Sequence, residues 1–463
     1  MKLTKPVFAF ALFILILNDF ASAQNNKALQ IDSLIHKANS IGIFNGNILV
    51  VDHGQVVYKG AVGFTDASSQ TKLTTQYRFH IGSIAKEFNA IGIMMLKEQG
   101  KLSLDDELSK YFPELPAWAD SISIKNLLQY TSGLPDVKWR TVKNDADNWN
   151  DIKEIKKLDF EPGKSYAYNN NNVFMQRRII EKITGIPFSE FVEQKMLKPC
   201  GMASAIVDPT DQDTLIAKSY NDSHQQDGLA YPISGWTCVT LDDFYKWAQC
   251  IESFKLIGPA STLEIITPIA PGKQCGLGEG VMKQGRLISH VHDGTAQHYQ
   301  ALLASYIPDE RTVILLTNNK QDNVYEINTA IQNILNDKPY QQPAKSLLKV
   351  YQKQIDTING KQLVDLYNKL KTQYPQTYGF DNESTLNELG YYLMGNSRME
   401  DAILVFKLNT KLFPASGNVF DSLGEAYYKS GDKKNALLNY QMSVKLDPTN
   451  SSGKEIISQL QKP

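Results

Sequence analysis

At 463 residues the chain is too long for one ordinary domain. A net charge of −1 with 21% charged residues argues against nucleic acid or an acidic membrane surface as partner. The 42% hydrophobic content is ordinary for a globular protein.

The first residues are expected to be a leader. Lys2 and Lys5 precede the apolar run Val7 to Leu17, and Ala21-Ser22-Ala23 offers a small-residue cleavage signal before Gln24. A membrane span needs about 20 apolar residues and this run is about half that. A signal peptide over 1–23 is therefore expected, with no membrane span after its removal and a bacterial periplasm or the exterior as destination. Cys200, Cys238, Cys250 and Cys275 are widely spaced and lack metal-ligand spacing. They are compatible with two disulfides in an oxidising compartment, but buried free thiols are the expectation. No cofactor or metal is expected.

Apolar runs at Gly46–Val51 and Gln55–Tyr58, split by Asp52-His53-Gly54, predict a hairpin. Next comes Gly82-Ser83-Ile84-Ala85-Lys86. Ile84, Phe88, Ile91 and Met95 recur at helical spacing and predict one buried helix face. Ser83 opens that helix and Lys86 lies about one turn on, so hydroxyl and amine project from neighbouring points. The first turn also offers unpaired backbone N–H groups and the positive end of the helix dipole. Acyl transfer needs this set: a nucleophile, a proton acceptor and donors for an oxyanion. Spacing alone is weak, because Ser69/Lys72, Ser346/Lys349, Ser430/Lys433 and Ser451/Lys454 repeat it.

Ile122–Gln129 reads as a short helix. Pro162-Gly163 marks a turn that delivers Tyr168 and Asn170 onto a loop before a helix over Val173–Thr184. A phenol and an amide two residues apart can share a site as proton shuttle and hydrogen-bond donor, although a plain polar loop explains Asn169–Asn172 equally well. His290 and His292 share a face of a strand. With His298 they invite a metal, but no carboxylate or thiolate stands at matching spacing. Ala301–Pro308 and Thr312–Thr317 read as strands joined at Asp309-Glu310.

Taken together and in this order, Ser83-Ile84-Ala85-Lys86, Tyr168-Asn169-Asn170 and His292-Asp293-Gly294 resemble the three motifs of the serine β-lactamase and penicillin-binding-protein superfamily, notably its class C-like branch. Tyr130–Leu134, Phe160–Gly163 and Thr240–Phe244 agree with it. The resemblance implies an α/β (α+β) sandwich over 24–335, with an antiparallel sheet, flanking helices and a helical subdomain. It implies that Ser83 attacks a carbonyl and forms an acyl-enzyme, and that Lys86 takes the proton. Tyr168 would relay a proton to the leaving group, and Asn170 would bind the substrate amide or hold Lys86. His292 and Gly294 would line the opposite strand, and the N–H groups of Ser83 and Thr295 would form the oxyanion hole. His292 replaces the usual lysine, while Trp236 and His298 put bulk where relatives carry small residues.

Residues 336–380 read as linker and helices. Beyond them Leu389-Gly390 returns as Leu423-Gly424, Ala402 as Ala436, Phe406 as Tyr440 and Pro414 as Pro448, a period of 34 over 381–463. This matches the tetratricopeptide pattern, with a capping helix near Lys454–Leu460. The expectation is a secreted serine hydrolase cleaving an amide or ester of a small molecule or peptide, with the repeats open to a protein or peptide partner. A β-lactamase or D,D-carboxypeptidase is one alternative. A non-catalytic binding protein working through the repeats is another.

Overall fold

The computed structural model describes residues 25–462, so the leader expected over 1–23 lies outside the described residues. The chain forms two compact units, one ending at Pro339 and the other beginning at Tyr340. No helix among the described residues is long and apolar enough to cross a membrane.

The first unit is built on six strands: β1 (Gly46–Asp52), β2 (Gln55–Val62), β6 (Glu279–Lys283), β7 (Arg286–Ala296), β8 (Tyr299–Tyr306) and β9 (Arg311–Thr317). They pair in the order β2-β1-β9-β8-β7-β6, antiparallel throughout. β1 and β9 are buried at every residue, while the edge strands β2 and β6 are largely open. Continuous apolar runs such as Ile48-Leu49-Val50-Val51 reflect strands covered on both faces. The cover comes from helices: Leu241–Glu252 packs on β1 and β9, and Val324–Leu335 packs on β8. Helix α1 (25–40) buries Ile31, Leu34, Ile35 and Ala38, and its Asp32 accepts from the Tyr58 hydroxyl of β2 at 2.8 Å. A second, three-stranded sheet has the order β3-β5-β4, from Phe79–His80, Thr237–Val239 and Ile206–Val207.

The helix after Ser83, α2 (Lys86–Glu98), differs from expectation. It is buried all round from Lys86 to Met94 rather than along one face. Ala90, Gly92 and Ile93 fill the side that the four-residue apolar pattern leaves unread; a helix enclosed on every side is a central core element. Gly92 explains one close approach, since a Cβ there would come within 2.7 Å of Ile180 on the neighbouring helix Asn170–Thr184. That helix begins three residues earlier than expected, with Asn169 as its cap accepting from the Asn172 N–H at 3.2 Å.

Cys200 and Cys250 correct the expectation of four free thiols: they form a disulfide, with Cα atoms 5.9 Å apart. A separation of 50 residues gives no local sign of it; the packing of Lys198–Cys200 against Leu241–Glu252 brings the pair together. Cys238 and Cys275 are free and buried, as expected.

The second unit is all helical: Leu347–Ile355, Gly360–Gln373, Glu383–Gly395, Met399–Leu412, Gly417–Lys429, Lys433–Leu446 and Ser451–Leu460. The first two share one core with the later pairs through Leu347, Leu363, Tyr367 and Leu370. A Cβ on Gly390 would sit 2.5 Å from the Phe406 ring, and one on Gly424 would sit 3.1 Å from the Tyr440 ring. The two pairs 34 residues apart thus use the same small-against-aromatic contact.

Candidate active site

Ser83 does not lie on α2 itself. It sits in the tight 3₁₀ turn Gly82–Ala85 that links β3 to α2. Gly82 has φ +55°, and a Cβ there would meet the Thr295 nitrogen at 2.4 Å, so only glycine fits. His80 braces the turn: its Nδ1 accepts from the Gly82 N–H at 2.9 Å. Complete burial, helped by the charge of Lys86, pulls the His80 imidazole down to about 3, which keeps that nitrogen free to accept.

Lys86 Nζ lies 2.9 Å from Ser83 Oγ. The lysine is buried at 7% exposure, and no carboxylate among the described residues stands within 4.0 Å of Nζ. Its surroundings are aromatic, with Nζ 5.2 Å from the Tyr168 ring centroid and 5.6 Å from that of Trp236. Tyr168 is half-exposed and rests on buried Tyr130, ring centroids 4.6 Å apart.

β7 crosses the serine turn. A Cβ on Gly294 would fall 2.0 Å from the Ile81 carbonyl oxygen and 2.8 Å from the Ser83 nitrogen. Gly294 therefore lets strand and turn touch, with the Ser83 nitrogen beside Gly294 and the Thr295 nitrogen beside Gly82.

The four-asparagine run resolves into two jobs. Asn169 donates to the Leu134 carbonyl at 2.7 Å, Asn171 donates to that of Pro135 at 2.8 Å, and Asn172 accepts from the Ser132 hydroxyl at 2.6 Å. These three buried side chains fasten the helix start to the Thr131–Pro135 segment. Asn170 lines the cleft with Lys86 and Trp236 from the first helical turn rather than from a loop, while its backbone N–H is held by Asp136 at 2.8 Å.

His292 is placed differently from the other expected site residues. Its side chain is 3% exposed and points into the core, where Nδ1 lies 2.7 Å from Glu87 Oε1. His290 Nε2 lies 2.8 Å from the same oxygen, and the Trp247 indole N–H donates to Glu87 Oε2 at 2.7 Å. The two histidines do share a strand face, but the group they face is Glu87, which sequence reasoning missed. Burial pushes the Glu87 carboxyl up, yet His290 and His292 outweigh it and hold it at about 2. Burial pulls His290 down, and the Glu87 charge more than reverses this, leaving it raised. Three donor atoms of Glu87, His290 and His292 lie within 4.8 Å of one another, as metal ligands would. Two ligands at about 2.1 Å from a tetrahedral ion stand roughly 3.4 Å apart. The contacts of 2.7 and 2.8 Å are shorter and fit direct hydrogen bonds. His298 stands elsewhere, its Nδ1 2.8 Å from Asp227.

A serine beside an aromatic-boxed lysine, at the crossing of a helix start and an antiparallel strand, defines this unit as a serine hydrolase of the β-lactamase-related type. Residues 31–335 match the family model described as Beta-lactamase, and the chain belongs to that family. Penicillin-binding protein 4* of Bacillus subtilis (strain 168) is 26% identical over 384 residues, covering 72% of this chain and 81% of that one. Two solved structures share the fold at TM-score 0.57. A penicillin binding protein from Bacillus halodurans is 22% identical, covering 65% of this chain and 98% of its own. D-amino acid amidase from Ochrobactrum anthropi SV3, complexed with L-phenylalanine amide, is 19% identical, covering 68% of this chain and 99% of its own.

Proposed function

We propose that the protein cleaves an amide or ester of a small molecule or peptide through an acyl-enzyme on Ser83. The observation that carries this is the 2.9 Å contact between Lys86 Nζ and Ser83 Oγ, in a cleft where no carboxylate competes for the amine. Lys86 accepts the hydroxyl proton as Oγ bonds to the carbonyl carbon. The backbone N–H groups of Ser83 and Thr295, with Gly294 allowing their approach, receive the oxyanion. Tyr168 passes a proton to the departing amine or alkoxide, and water then releases the acyl group. Asn170 binds the substrate amide beside Lys86.

The relatives named for penicillin binding and for amide cleavage support an amide-directed serine hydrolase. Amino-acid amides and short peptides are favoured over penicillins as substrates, because His292 is tied to Glu87 instead of presenting a cation from β7. Intact-mass measurement after mixing with an amino-acid amide, an aryl ester or a penicillin tests this. Transient adducts that turn over with the first two, and a slow or absent penicillin adduct, are expected. Penicillin turnover faster than any amide or ester would establish the β-lactamase alternative instead.

Residues 1–23 are proposed as a leader directing the chain to the periplasm or the exterior, with the hydrolase spanning 24–335. The helical pairs over 381–463 are proposed as tetratricopeptide repeats that dock a protein or peptide, supported by the 34-residue period and its repeated glycine–aromatic contact. A chain ending at Pro339 should keep turnover of small substrates; its loss would point to a stabilising role for the repeats.

A further inference from the structure

The cleft beside Ser83 holds a second basic side chain that the roles above leave unused. Asn170, Val173 and Arg177 follow one another at helical spacing and all line it, opposite Gly235 and Trp236. Arg177 is 3% exposed, yet its Nε and Nη2 have no hydrogen-bond partner among the described residues. A buried guanidinium ordinarily has a carboxylate. Three acids are near enough for their charge to act on Arg177, Asp145, Asp208 and Glu181, and all are engaged elsewhere, Glu181 with the Arg178 guanidinium and the Phe188 N–H. Asp145 takes the Arg178 guanidinium at 3.1 Å and the Ser234 N–H and hydroxyl at 2.8 and 2.5 Å. Asp208 accepts the Gly235 and Trp236 N–H groups at 2.5 and 3.0 Å.

Aromatic rings pack near the guanidinium: the Phe174 ring centroid lies 5.5 Å from its central carbon and that of Phe188 lies 6.0 Å away. Gly235, at φ +95°, closes over the guanidinium so tightly that a Cβ would come 2.5 Å from Nη1. The Trp236 indole N–H, another buried donor without a partner, lines the same cleft. Asn89 Oδ1 is an unpartnered acceptor there, but a neutral amide cannot balance the charge. Burial, the largest influence on Arg177, pulls it down to about 10, which leaves it a cation at neutral pH.

We propose that Arg177 is the recognition site for a carboxylate carried by the substrate. The planar fork of donors matches a carboxylate edge-on, between Phe174 and the Gly235 backbone. Seven residues at 1.5 Å rise set Arg177 about 10 Å along the helix from Asn170. The carboxylate thus belongs to a remote part of the substrate, several bonds from the scissile carbonyl. This rests on the acyl-enzyme reading of Ser83.

The test compares 4-nitrophenyl half-esters of dicarboxylic acids of three to eight carbons with the matching terminal carboxamides, using the full chain at low salt. The expected result is a kcat/KM for the best acid about tenfold or more above its carboxamide. Arg177→Gln should lower the acid's value far more than the carboxamide's, bringing the ratio towards one, and Arg177→Lys should restore part of it. Equal values for acid and carboxamide in the unaltered protein, or a ratio unchanged in Arg177→Gln, would overturn the proposal. If Arg177→Gln does not fold, competition decides: the free dicarboxylate must protect against acylation better than its diamide, and equal protection sinks it. Turnover of carboxamide esters without acid preference refutes the carboxylate site alone, whereas no acylation by either ester refutes the acyl-enzyme reading beneath it.

Discussion

Replacing Glu87 with glutamine should destabilise the hydrolase unit strongly and in a pH-dependent way. The carboxylate is fully buried and receives His290, His292 and Trp247 at 2.7–2.8 Å. Removing one member of a buried ionic network usually costs about 3–5 kcal/mol, since the remaining charge is left without a partner. For a unit of this size about 2 °C of melting temperature accompanies each kcal/mol, which gives a fall of roughly 6–10 °C. Two pKa shifts fix the pH dependence. Glu87 is held at about 2 against an ordinary 4.5, so its contribution is complete above pH 4.5 and fades as pH falls towards 2. His290 is raised above 6.5, so its contribution is complete below 6.5 and fades as pH rises through the raised value. The deficit of the variant should therefore be greatest between pH 4.5 and 6.5 and shrink on either side. Urea unfolding followed by tryptophan fluorescence, with Trp247 as a reporter inside the network, measures it. A deficit under about 1 kcal/mol, or one equal at pH 3 and pH 6, would refute the network's role.

Lys86→Ala should slow acylation by a single aryl ester about 10²–10⁴-fold in stopped flow, the usual contribution of a positioned base. A near-normal rate would exclude Lys86. Gly82→Ala forces a contact of 2.4 Å with the Thr295 nitrogen and should separate the serine turn from β7; a loss of kcat of about 10²-fold or more is expected, as for a lost oxyanion donor. Unfolding without reductant should expose two thiols to a thiol reagent, because Cys200 and Cys250 are joined. In the folded state both remaining thiols should be slow, Cys238 and Cys275 being pushed up by burial, the latter to about 11. Breaking that 50-residue loop should cost about 4 kcal/mol of stability in urea.

Much of the candidate site's geometry was legible because its signals are local. The Ser83/Lys86 spacing, the Asp52–Gly54 turn and the alternation that puts His290 and His292 on one strand face all follow from short-range geometry. What stayed hidden depends on contacts across the chain. Glu87 meets His290 and His292 across more than 200 positions, so two histidines could be seen without their carboxylate. The same distance problem conceals the disulfide. Burial of α2 on every side was missed because Ala90 and Gly92 carry little weight in an apolar pattern, although their small size lets other helices close in. The asparagine run looked like solvated loop because sequence cannot say that three of its four amides are spent on backbone and side-chain partners inside the fold.

Every role proposed for the cleft depends on Ser83 becoming acylated. Rapid mixing of the protein with a small activated ester, beside Ser83→Ala, tests it most directly. A burst equal to the concentration of active sites and an acyl adduct on the Ser83 peptide are expected, and neither in the variant. A burst that survives in Ser83→Ala, or no burst and no turnover in either protein, would contradict it.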